Sequence, residues 1–189
     1  MKLPDCLNFL IVEDLVSDSF LLQRQIKKLS DHPEIRFVDT EISLINALKT
    51  YIPDMVITDF NLVGMDAFDV IRIIKDYNSK IPVVVITGNL KNEEDSQKLL
   101  DAGASGFFLK EPINTLHERL LPVFEKIITQ SQKQLETLGN ERKKYDNQKA
   151  QSDFLREYTF SETNSRKAPQ EKESGFLYSI LKFFGMKGS

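Results

Sequence analysis

One cysteine, Cys6, is all the thiol that this 189-residue chain carries, so no internal disulfide can close and no cysteine pair exists to hold a soft metal. A reducing compartment suits such a chain. Long hydrophobic runs are missing as well: no stretch of about 18 apolar residues occurs, and Lys2, Leu3, Pro4 and Asp5 lead into too short an apolar segment for a secretion signal. Cytoplasmic location is the expectation. The chain also lacks an excess of positive charge where its core composition lies. Up to Leu121 there are 13 Lys and Arg against 19 Asp and Glu, and from Pro122 onward 12 against 9. The acidic body has no reason to attract phosphate backbones, and the tail's small basic excess is interleaved with Glu, so nucleic-acid binding is not expected. No internal repeat is visible.

What is present is a regular alternation. Apolar runs at Leu7–Val12, Ile35–Val38, Met55–Thr58, Ile81–Thr87 and Gly106–Leu109 predict five strands. Between them lie segments of helical period, such as Ser17–Leu29 and Phe68–Ile74. Strand and helix in turn imply a parallel sheet covered on both faces. After Pro112 a helix carrying Leu116, Leu120, Phe124, Ile127 and Ile128 is expected to continue through Leu135 and Leu138 into a polar stretch. The segment Ser161–Ser174 has almost nothing to bury and reads as a flexible linker. The closing "GFLYSILKFFGMKGS" places Phe176, Leu177, Ile180, Leu181 and Phe184 on one helical face. The domain reading is 1–130 as the body, 131–160 as a helical extension, 161–174 as linker and 175–189 as an amphipathic helix.

Ligands of parallel α/β sheets gather at the carboxyl ends of the strands. Here those ends carry Glu13 and Asp14 after the first strand, Asp59 at the third, Thr87 at the fourth and Lys110 at the fifth. Three acids with one ammonium and one hydroxyl suit a site where a hard cation with oxygen ligands offsets clustered negative charge. Taken singly, Asp14 or Ser17 would serve as a helix cap and Lys110 as a solvated charge. The set at successive strand ends argues for chemistry.

The motifs "IVED", "ITDFNLVGMD", "VVVITG" and "GASGFFLKEP", in this order, resemble the receiver domain of two-component response regulators over roughly Leu7 to Ile128. The resemblance implies a doubly wound, flavodoxin-like, five-stranded parallel sheet of order 2-1-3-4-5 with a C-terminal helical extension. It implies Asp59 as phosphoacceptor, with Mg²⁺ held by Asp14, Asp59 and the backbone carbonyl of Asn61, and with Glu13 acting directly or through water. Lys110 would neutralise phosphoryl charge, Thr87 would donate its hydroxyl to a phosphoryl oxygen, and Phe107 would be the aromatic switch residue. Three departures stand out: Glu111 separates Lys110 from Pro112, where the family has proline next to the lysine, and Val63 and Ala67 replace a common proline and glycine. A histidine in "LHERLLP", His117, faintly resembles a sensor-kinase phosphorylation box, but no ATP-binding glycine motif follows and it reads as a surface or cap residue.

The function expected is that of a single-domain response regulator, not an enzyme beyond its own phosphoryl transfer and slow autodephosphorylation. It would receive a phosphoryl group from a histidine kinase or phosphotransfer protein and signal to a downstream protein partner. The alternative is a phosphorylation-independent scaffold or adaptor built on the same fold and its C-terminal helices. For the terminal amphipathic helix, protein docking ranks ahead of membrane contact.

Overall fold

The computed structural model describes residues 3–4, 6–88, 93–130 and 132–164. In chain order the elements are β1 (Asn8–Val12), α1 (Val16–Ile26), β2 (Glu34–Val38), α2 (Glu41–Thr50), β3 (Met55–Asp59), the short pair β4 (Asn61–Leu62) and β5 (Met65–Asp66), and α3 (Ala67–Tyr77). They continue with β6 (Val83–Thr87), α4 (Glu93–Asp101), β7 (Gly106–Leu109), a 3₁₀ turn (Ile113–Thr115), α5 (Leu116–Gln130) and α6 (Gln132–Asn164). The five long strands form one sheet of order β2-β1-β3-β6-β7, every neighbouring pair parallel. That is the doubly wound, flavodoxin-like order. The antiparallel β4–β5 pair directly after β3 was not legible in the sequence, because two-residue strands carry no period.

Strand alternation divides the core into two layers. Leu10, Val12, Val56, Val83 and Val85 face one side, packed against Leu44 and Leu48 of α2, Val70, Ile71 and Ile74 of α3, and Leu99 of α4. Phe9, Ile11, Met55, Ile57, Val84 and Ile86 face the other, packed against Leu22 and Ile26 of α1 and Leu116, Leu120, Phe124 and Ile127 of α5. β1, β3 and β6 are buried along their whole length, as strands covered on both faces must be. Two helices begin in reciprocal side-chain caps, Thr40 with Ser43 at α2 and Asp66 with Asp69 at α3. α1 has Leu15 at its cap position and no side-chain cap, so neither Asp14 nor Ser17 is spent in that role.

The compact unit runs from Met1 to Tyr145, past the boundary at 130 expected from sequence, and a second unit covers Asp146–Ser189. The first half of α6 belongs to the body because it is bolted to it. Leu138 is fully buried in the α3-side core, and the Arg142 guanidinium donates from Nε and Nη2 to the Ile52 carbonyl at 3.0 and 2.8 Å. Its Nη2 also meets Asp54 Oδ1 at 2.8 Å. Asp54 in turn accepts from the Asn8 backbone and side-chain amides at 2.8 and 3.1 Å. A second difference lies at the expected linker: Ser161–Asn164 are helical. Polar composition removes packing but not backbone hydrogen bonding, and no Pro or Gly interrupts the chain between Ser161 and Asn164. The remainder of that linker and the amphipathic segment 175–189 lie outside the described residues. Among the described residues no helix is long and apolar enough to cross a membrane.

Candidate functional site

The same alternation that sorts the core gathers the site. On β1, Phe9 and Ile11 point to the α1/α5 side and Glu13 continues that parity one residue past the strand. On β3, Met55 and Ile57 are followed by Asp59, and past β7 Phe108 is followed by Lys110. Three polar side chains therefore inherit the direction of three apolar rows, at the carboxyl ends of strands that lie side by side or nearly so. All three are buried: Glu13 is 3%, Asp59 9% and Lys110 8% exposed.

Lys110 Nζ lies 2.8 Å from Glu13 Oε2, 2.7 Å from Asp18 Oδ2 and 3.5 Å from Asp59 Oδ1. Glu13 Oε1 also accepts from the Leu15 N–H at 3.2 Å. Asp14 Oδ2 accepts from the Val63 N–H at 3.1 Å, tying the loop after β1 to the β4–β5 turn. Thr87, buried at the end of β6, offers its carbonyl to the Lys110 N–H at 2.7 Å. Phe107, two residues before the end of β7, is half buried and packs on the α3-side core. Asn61 opens β4, two residues after Asp59, with its side chain exposed.

Burial pushes the Asp59 carboxyl above its ordinary value; the Lys110 charge and the Phe60 N–H counteract this in part, while the Asp14 charge adds to it. Burial likewise raises Glu13, with Lys110 holding it back only partly. Burial alone would lower Lys110, yet its hydrogen bonds to Asp18 and Glu13 outweigh that and hold it well above the usual lysine value. The ammonium therefore stays charged across the accessible pH range.

Asp59 Oδ1 is buried without a hydrogen-bond partner. A carboxylate oxygen left so is costly unless something positive completes it. Among the described residues no group of three or more His, Cys, Asp or Glu side chains forms a metal cage. Asp14 and Asp59 carry oxygen donors of the kind through which Mg²⁺ binds, one or two carboxylates with much of its hydration kept.

The Glu111–Pro112 peptide bond is cis. With Glu111 inserted before the proline, Lys110 still reaches Glu13, Asp18 and Asp59. Arg119 of α5 secures this loop, its guanidinium donating to the carbonyls of Leu109, Lys110 and Pro112 at 2.8, 3.2 and 3.0 Å. Sequence reasoning missed Arg119, whose partners are backbone carbonyls without any signature. It also missed Asp18, which lies in the first turn of α1, where the helix carries its carboxylate to the Lys110 ammonium. His117 Nδ1 meets Gln25 Oε1 at 2.8 Å, a contact that joins α5 to α1.

Residues 9–121 match the family described as response regulator receiver domain. Curated relatives include the sensor protein EvgS of Escherichia coli (strain K12), 28% identical over 99 residues, which is 52% of this chain and 8% of that protein. The chemotaxis protein CheY-3 of Vibrio cholerae is 28% identical over 124 residues, 64% of this chain and 94% of the relative. The crystal structure of NtrX from Brucella abortus superposes with a TM-score of 0.60 at 25% identity, covering 70% of this chain and 29% of the other. The chain thus spans only a small part of the sensor protein and of NtrX.

Proposed function

The chain belongs to the response regulator receiver family of two-component signalling, and from that membership we propose that it accepts a phosphoryl group on Asp59 from a histidine kinase or phosphotransfer protein and signals through protein contacts. Receiver domains are signalling modules rather than turnover enzymes, and slow loss of the phosphoryl group is the only further chemistry proposed. The observation that carries the reading is the buried Oδ1 of Asp59, without a hydrogen bond and 3.5 Å from a lysine ammonium at the carboxyl rim of a parallel sheet.

In the proposed transfer an Asp59 oxygen attacks phosphorus, the bond from phosphorus to the donor breaks, and the donor leaves with the electron pair. Glu13 holds Lys110 at the rim, where the ammonium meets the negative charge of the incoming phosphoryl oxygens. Thr87 would donate its hydroxyl to one of them, and Phe107 would follow that movement by packing. Asp14, Asp59 and the Asn61 carbonyl would hold Mg²⁺, with Glu13 through water. When bound, that ion neutralises phosphoryl charge and so lets a carboxylate approach an anion. Beside the rim, Val16 and Phe20 of α1 are exposed one turn apart and offer apolar surface to the donor protein. Cytoplasmic placement accords with such donors.

Intact-mass measurement after incubation with acetyl phosphate and Mg²⁺ tests the proposal. One phosphoryl group should be gained, mapped to Asp59, and Asp59→Asn should gain none, because an amide of the same shape is not a nucleophile. Absence of uptake in the wild type would leave the phosphorylation-independent scaffold as the reading.

A further inference from the structure

Lys110 has three N–H bonds to give. Two are taken by Glu13 and Asp18, at 2.8 and 2.7 Å, while Asp59 stands off at 3.5 Å with its Oδ1 lacking a hydrogen bond. The third N–H makes no hydrogen bond among the described residues, but Glu13 and Asp18 hold the ammonium 3.5 Å from Asp59, and drawing it in to meet a phosphoryl group there stretches one of these two bonds. The two differ in what release would cost. The Glu13 side chain is fully buried and without the ammonium would keep only the Leu15 N–H, so its release carries most of the desolvation penalty of a carboxylate. The Asp18 side chain is 26% exposed, and its other oxygen, Oδ1, already accepts from Ser17 Oγ at 3.2 Å. Water can replace the ammonium there at little cost.

Resting on the phosphoacceptor reading of Asp59, we infer that Asp18 is a positioning residue, the exchangeable counter-ion that holds the Lys110 ammonium back from Asp59 and gives it up when the phosphoryl group arrives. Glu13 is the fixed partner about which the ammonium turns. Asp18 touches neither the reacting oxygen nor the phosphoryl group and acts only through Lys110. Its carboxylate competes with the phosphoryl oxygens for the position of the ammonium, so it sets a threshold for phosphorylation.

The test compares the acceptance rate from acetyl phosphate at saturating Mg²⁺, followed by intact mass, in the full chain. Asp18→Asn keeps the shape and removes the charge, and should accept phosphoryl about fivefold faster, the size expected when one competing, partly exposed charge-assisted bond is lost. Asp18→Glu should restore the wild-type rate. In a Lys110→Ala background the Asp18→Asn substitution should change nothing, since the route of its effect is gone. Independently of any phosphorylation, the Lys110 ammonium protons should exchange with water faster in Asp18→Asn than in wild type by NMR. A wild type that accepts phosphoryl while Asp18→Asn accepts it at the same rate or more slowly would overturn the inference and leave the phosphoacceptor assignment intact. An effect of Asp18→Asn that persists without Lys110 would overturn it too. A wild type that takes up no phosphoryl would overturn the assignment of Asp59 and the inference with it.

Discussion

Asp59 is a side chain whose charge the fold tolerates at a cost, and that cost has a sign. In the unfolded chain its carboxyl titrates near the ordinary 3.8, and in the folded protein burial holds it higher, Lys110 offsetting this only in part. Between those two values the native state binds more protons than the unfolded one, so stability grows as pH falls through the folded value and is lost as pH rises through it. Asp59→Asn removes the charge permanently. Without Mg²⁺ at pH 7 it should therefore melt higher than wild type by roughly 2–4 °C, about 1 kcal/mol at this chain length. The gap should close as pH is lowered toward the ordinary carboxyl range. Calorimetry of both proteins from pH 7 to pH 4 checks this, and a gap that widens in acid would mean the Lys110 attraction, not burial, dominates. At this scale most of the site was legible, because Glu13, Asp59 and Lys110 extend alternating apolar rows whose direction follows from period two. Asp18 was hidden by the phase of α1, which no strand pattern fixes.

At the scale of elements, the strands and the helices between them follow from apolar period, while the attachment of α6 does not. Leu135 and Leu138 read correctly as a fading stripe, but Arg142 sits in a stretch whose polar composition suggests a solvated rod. Its role depends on the turn before β3 presenting the Ile52 carbonyl and a buried Asp54 to it. Arg142→Ala should cost about 1–3 kcal/mol, since Asp54 loses a charged partner while keeping only the Asn8 amides. Arg142→Lys should recover less than half of this, because an ammonium cannot serve carbonyl and carboxylate with one rigid fork. Leu138→Ala should cost about 2–4 kcal/mol through the cavity it leaves. Urea midpoints measure all three. Phosphoryl uptake from acetyl phosphate should stay at the wild-type rate in each folded variant, because Asp54 lies at the opposite end of β3 from Asp59.

For the whole molecule the question is where the independently stable body ends. Sequence pattern places the end near residue 130, where the amphipathic stripe of α5 runs out, and contact density places it at Tyr145. The difference is physical: α6 contributes few apolar residues, but two of them, Leu135 and Leu138, pack against the core. Leu135 lines the same small recess as Leu7, Phe9, Met55 and Ile128, so removing it uncovers an apolar floor beneath the sheet. Periodicity averages over a helix and therefore undervalues two well-placed leucines and one arginine in a polar sequence. A chain ending at Tyr145 should melt at the same temperature as the full chain and accept phosphoryl at the same rate. A chain ending at Gln130 should lose at least about 2 kcal/mol, a fall of roughly 4–8 °C at this size, and should bind a dye specific for exposed apolar surface. Scanning calorimetry with dye binding on the three lengths decides between the two boundaries. Equal melting of the two truncated chains would show that α6 rests on the body without supporting it, and would return the boundary to residue 130.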